Sequence, residues 1–314
     1  MGIGSVAFLG FLVCRGCVAG EDLTYRREEG EIRTYLRTML AEGKLASGAD
    51  GSFRFEATTK EKTVESIPGL RVVSDVLLER IRVQVSTGLP GDPQAFDTDE
   101  PIPPGEAAGK AIARRSIPFR RMAGSTITIH QQPSGVIEKF EGLEALHARV
   151  MEGVAEDAPE RHVYEGLTTP GWMQNLLAPD LRVPTTRVIV GESQAVLETR
   201  MLPENVGMPG ILYYRGDYRL TSVKEGEARV DFSGEVSLDP FPGMPPWPAV
   251  FAAKRKLLRL DRGVFHAWAR IGIGKGVLEE DEHVTELDLV FLGKDGKGET
   301  PLPTKVTRST RLIR

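Results

Sequence analysis

From Glu227 to Leu238 apolar and polar residues alternate without a break. Ala228, Val230, Phe232, Gly234, Val236 and Leu238 fall on one side, and Glu227, Arg229, Asp231, Ser233, Glu235 and Ser237 on the other. A period of two puts successive side chains on opposite faces of a strand, so the run predicts an antiparallel strand buried on one face only. Similar alternation recurs in Ile81–Val85, Thr126–His130 and Thr285–Phe291, and the β-branched tail from Thr304 predicts a last strand that pairs back.

One interval departs from this period. Leu143, Leu146, Val150 and Val154 recur every three or four residues, which predicts helix between Glu141 and about Ala178. Strands and helices in separate blocks give an α+β chain that is mostly antiparallel β. The Pro-rich stretches "DTDEPIPPGE" and "DPFPGMPPWP" interrupt the two β-rich parts at corresponding places. Each part also opens on an aromatic-basic strand, "LTYRREEG" and "LYYRGDYRL". The expected architecture is therefore two related, curved β-sheet halves, 21–140 and 181–314, with a helical interval at 141–180 between them.

The first twenty residues read as a signal peptide: an apolar run too short for a bilayer, followed by small residues near Ala19 and then dense charge. No Lys or Arg precedes the run. Both cysteines, Cys14 and Cys17, lie within it, so a processed chain would carry no disulfide and no thiolate metal ligand. Lipidation at Cys17 is the alternative fate, and only then is membrane association expected. The 40 Lys and Arg against 44 Asp and Glu leave a net charge of −4, with no basic tract of the kind nucleic acid requires.

Four segments invite a chemical reading. "IGIGKG" from Ile271 to Gly276 is not a Walker loop, because Gly276 follows Lys275 where Ser or Thr must hold magnesium, and Ala269 replaces the first glycine. Read as a strand, it places Gly272, Gly274 and Gly276 on the face of His266, Trp268 and Arg270. Such bare backbone marks a bend or a close approach, or leaves room for a ligand beside Trp268, Gly272 and Gly274. "GESQA" resembles a nucleophile elbow at Ser193, with His266 and His283 downstream, but the elbow needs a following helix, and Pro203 arrives too soon. "EEDEHVTELD" lacks calcium-loop spacing and reads as a solvated edge strand. Asp97, Asp99 and Glu100 are candidate paired carboxylates in a loop.

The pieces "AFDTDEP", "STITIHQQPSGVIEKFEG", "LAPDLRVP", "VIVGESQ", "DYRLTSVKEGEARVDFSGEV" and "ARIGIGKGVLEEDE" together resemble an uncharacterised family of exported bacterial β-rich proteins, many of them lipoproteins. The resemblance runs from about Leu23 to Leu312. Glu192 and Gln194 stand where that family has Asp and Trp. It implies a cell-envelope or periplasmic location and no recognised catalytic set or cofactor. The expectation is an exported, non-catalytic protein binding a hydrophobic small molecule or an envelope partner. A structural protein without ligand and a secreted serine hydrolase using Ser193 are the alternatives.

Overall fold

The computed structural model describes residues 20–45, 48–86, 94–101, 116–157, 161–179, 182–183, 187–201, 210–244, 257–292 and 298–313. The expected leader with Cys14 and Cys17 lies outside these, as do half of the first Pro-rich stretch and the end of the second.

The N-terminal strands are β1 (Ile32–Lys44), β2 (Asp50–Ile67), β3 (Arg71–Ser86), β4 (Gln94–Asp97), β5 (Thr126–Gln131) and β6 (Ile137–Glu141). Helical residues 116–122 (α1) precede β5. The helical interval holds α2 (Leu143–Met151), α3 (Arg161–Leu167) and α4 (Pro170–Leu177). The C-terminal strands are β7 (Ser193–Met201), β8 (Ile211–Lys224), β9 (Glu227–Ser237), β10 (Leu258–Gly272), β11 (Val277–Leu292) and β12 (Glu299–Ile313). Among the described residues no helix is long and apolar enough to cross a membrane.

All twelve strands form one antiparallel sheet, in the order β6-β5-β3-β2-β1-β12-β11-β10-β9-β8-β7, with β4 alongside β3. The sheet is predominantly a meander in which chain neighbours pair, except that the first strand pairs with the last. β12 lies between β11 and β1, in register from Thr34 opposite Ile313 to Gly43 opposite Thr304. That pairing makes one continuous sheet of the strands before and after the helical interval. The tail does pair back as its β-branched residues predict. The helical interval joins β6 to β7, the two ends of the path.

The inner face carries two apolar cores. Under β2, β3 and β5, Phe55, Leu78, Ile81 and Ile127 pack against Leu146 and Val150 of α2 and Trp172, Met173 and Leu177 of α4. The Trp172 ring meets Phe55 edge-on at 5.2 Å. α4 starts cleanly because Pro170 opens it and the Thr169 hydroxyl accepts from the Trp172 N–H at 3.3 Å. The second core lies under β8–β12, where the strands curl until Tyr214, Phe232, Phe265 and Leu287 share one cluster.

Two glycines set that curl. Gly216 of β8 and Gly234 of β9 are directly opposite, leaving a hole in the inner face of the sheet. A Cβ on Gly216 would lie 2.2 Å from the Ser233 carbonyl oxygen and 2.8 Å from the Phe265 ring. The Phe265 ring occupies the space that a side chain at 216 would otherwise fill, and packs on Phe232 at 4.6 Å between centroids.

Candidate functional site

Residues 20–31 cross one end of the sheet as an extended strap rather than entering it. Both sides of β1 are taken by β2 and β12, so the strap bonds to turns instead. Glu21 and Val188 exchange backbone hydrogen bonds at 2.7 and 2.9 Å. The Tyr25 N–H donates to the Pro133 carbonyl in the β5–β6 turn at 2.8 Å, and the Arg26 N–H to the Gly276 carbonyl in the β10–β11 turn at 3.1 Å. Alternation along the strap buries Leu23 and Tyr25, and brings in Arg27 at the next inward position.

This contact explains the glycines of "IGIGKG". β10 ends at Gly272, and Gly274 and Gly276 sit in the turn with φ of 82° and 59°. They do not share a strand face with Trp268, as the spacing of two suggested. A Cβ on Gly276 would come 2.4 Å from the Arg26 nitrogen, whereas one on Gly274 would meet nothing within 4 Å. The close approach expected of such backbone occurs at Gly276, with the strap as the approaching group.

Between the strap, the β2–β3 turn and the turns after β5 and β10 lies a cleft of about 1210 Å³. Ile67, Pro68, Leu70, Val72 and Pro133 supply apolar lining, and Leu70 is 63% exposed. Arg26, Arg27, Arg33, Arg71 and Lys275 supply cations, with Asp22, Glu28, Glu31 and Glu138 among them. Arg33 grips Glu31 through two hydrogen bonds at 2.7 and 2.9 Å and also holds the Arg26 carbonyl at 2.9 Å. Arg71 pairs with Glu65 at 2.9 Å.

Behind the cleft is a buried ionic group. Glu61 of β2 is fully buried and accepts from Arg27 and, at 2.5 Å, from Arg37 of β1. Burial raises the cost of its charge, and the two guanidiniums outweigh that, so the Glu61 carboxyl is held below its ordinary value. Arg37 also reaches the Thr59 hydroxyl at 3.3 Å and the Leu176 carbonyl in the last turn of α4 at 3.5 Å. A cation there suits the negative end of the helix. The Tyr35 ring lies under both arginines, 6.0 Å from Arg27 and 5.2 Å from Arg37.

A second polar group lines the inner face farther along. His283 of β11 is buried, hydrogen-bonded to the Thr285 hydroxyl at 2.9 Å and stacked on Phe265 at 5.6 Å. Burial, with Arg200 and Arg308 nearby, holds its imidazole well below the ordinary value. Asp281 accepts the Thr310 N–H at 2.8 Å. Thus "EEDEHVTELD" is not a solvated edge: β11 is central, Asp281 and His283 face inward, and the remaining acids face solvent, where Glu280 pairs with Arg270 at 3.2 Å.

The other sequence candidates are dispersed. Trp268 lies on the outer face of β10, beneath the Arg229 guanidinium at 4.8 Å and 3.4 Å from Glu282. Gly272 ends the strand, and of the three expected ligand residues Gly274 alone lines the cleft. Ser193 opens strand β7, so strand runs on from it to Met201 where the elbow needs a helix, and its hydroxyl lies 3.3 Å from Arg219. His266 is exposed on the outer face of β10, on the side opposite His283. Asp97 is gripped by Arg80 and Arg82, and these hydrogen bonds hold its carboxyl far below the ordinary value, the opposite of what a general acid needs. The strap, the cleft and Glu61 escaped sequence reading. The available signal was the spacing of Leu23, Tyr25 and Arg27, which puts an arginine on a buried face.

No family model and no curated protein matches this chain. Among solved structures, lipovitellin, in a study of its lipid–protein interactions, aligns over 91% of this chain and 25% of its own at 10% identity and a TM-score of 0.45. The chain thus spans a quarter of that protein's length. The β domain of the Bordetella autotransporter BrkA aligns over 89% of this chain and 98% of its own at 8% identity and a TM-score of 0.31. At these values the likeness carries no argument about fold or activity.

Proposed function

We propose that this chain is a non-catalytic binding protein of the cell envelope, and that its ligand occupies the cleft under the N-terminal strap. The observation that carries this reading is the cleft itself: apolar residues from the β2–β3 turn face arginines of the strap and β1 across about 1210 Å³. Ligand sites combine an apolar lining with a few placed polar groups. Leu70, 63% exposed at the mouth, is an apolar side chain without cover that such a ligand would bury. The leader-like first twenty residues and the resemblance to exported bacterial proteins support the envelope location.

A hydrophobic ligand is assigned to the cleft, where apolar lining is open to solvent, rather than to the two apolar cores. Expression of the full gene in a bacterial envelope, followed by native and denaturing mass spectrometry, tests the reading. The expected result is added mass that leaves on denaturation and is reduced in Leu70→Asp. A bare polypeptide for the wild type, purified without detergent, would overturn it.

A further inference from the structure

The wall of the cleft holds a feature that ordinary packing does not require. The Arg27 side chain is 8% exposed, and its Nη1 is buried with no hydrogen-bond partner among the described residues. Its other terminal nitrogen is committed to Glu61. A buried guanidinium N–H left unmet is costly, so its partner is to be sought outside the protein.

Charge points the same way. Glu61 is one carboxylate shared by two arginines, Arg27 and Arg37, and Glu31 is taken up by Arg33. Three arginines against two carboxylates leave one positive charge in a group that is largely buried. A void of about 20 Å³ beside Arg27, Tyr35 and Gln131 has room for a single water. Water satisfies an N–H but leaves the excess charge, whereas an oxyanion satisfies both. Arg27 lines the open cleft as well as this void, so an anionic group in the cleft lies against the same side chain.

We infer that the ligand is an anionic amphiphile, its carboxylate or phosphate oxygens held at Arg27 and its apolar tail lying along Ile67, Leu70 and Val72. The inference rests on the proposed use of the cleft and adds the chemical class of its occupant. Lys275 flanks the approach and adds attraction without determining the tail.

Calorimetry on the full mature chain, below the micelle concentration, tests this with four probes: dodecanoate, dodecyl phosphate, neutral dodecyl maltoside and inorganic phosphate. The two anionic amphiphiles should bind at least tenfold more tightly than the maltoside or phosphate alone, and their ratio tells carboxylate from phosphate recognition. Arg27→Lys keeps the charge opposite Glu61 but lacks the second N–H, and should lose about tenfold for both anions. Should Arg27→Lys fail to fold, Leu70→Asp still tests the tail, and the maltoside comparison still tests the headgroup.

Equal binding of all three amphiphiles, unchanged in Arg27→Lys, would overturn the anionic assignment and leave the cleft as a hydrophobic site. Phosphate binding as tightly as dodecyl phosphate would overturn the tail. Failure of every amphiphile to bind would remove the cleft reading and this inference together.

Discussion

Arg27 and Arg37 converge on one carboxylate, that of Glu61, from a strap outside the sheet and from the strand next to it. The strap is thereby tied to β2 by a buried charge, and through Arg37 the same carboxylate reaches the last turn of α4. Cleft wall, sheet and helix meet at Glu61. Glu61→Gln leaves two buried guanidiniums without their anion and should cost about 3–5 kcal/mol in urea unfolding. Replacing Arg27, Arg37 and Glu61 together by Met, Met and Leu should recover most of that loss, because no charge is then left unpaired.

Acid should weaken the fold through two groups. The Glu61 carboxyl is lowered in the folded state, so its stabilisation is present above the ordinary carboxylate value and is lost as pH falls through the folded one. His283 acts at higher pH. Its folded imidazole lies well below 6.5, so above that value both states are neutral there, and below it the unfolded chain binds a proton the folded one refuses. Stability should fall by about 1.4 kcal/mol per pH unit below pH 6 from this residue alone. His283→Gln should flatten that slope when midpoints of urea unfolding are compared between pH 7.5 and 5.

The curl of the C-terminal strands depends on the Gly216–Gly234 pair. Gly216→Ala drives a Cβ into the Ser233 carbonyl and the Phe265 ring and should cost about 2–3 kcal/mol. Gly274→Ala faces open space and should cost only the left-handed backbone strain, about 1–2 kcal/mol. Thermal unfolding of the two variants separates the effects, and equal losses would contradict the assigned bend.

Gly276 holds the strap down. Gly276→Ala should push the Arg26 backbone away, raise protease cleavage within 20–31 and weaken amphiphile binding, with the sheet still folded. Limited proteolysis with far-UV circular dichroism measures both. Unchanged cleavage would mean that the strap is held by Glu21 and Tyr25 alone.

Much of the sheet was legible because alternation is local. Glu227–Leu238 became β9 and Thr126–His130 became β5, and the helical spacing of Leu143, Leu146 and Val150 became α2. Pairing is not local, and there sequence reading stopped. That Gly216 faces Gly234, or that β1 joins β12 into a single sheet, depends on register set by the whole fold. "LTYRREEG" has the composition of a strand yet became the strap, since β1 offers it no free edge. The charged run around His283 looked solvated because its acids alternate outward, while its inward residues, Asp281 and His283, are also polar and so hid the alternation. The site was obscured for the same reason: Arg27 and Glu61 lie 34 residues apart and meet only when strap and sheet are in place.

Hydrogen exchange on the full chain, with and without saturating dodecyl phosphate, locates the ligand. Added protection should be confined to residues 22–33, 66–72, 132–133 and 274–275, which surround the cleft. Protection appearing instead in α2–α4 or in β7–β9 would place the ligand elsewhere and contradict the cleft as the binding site.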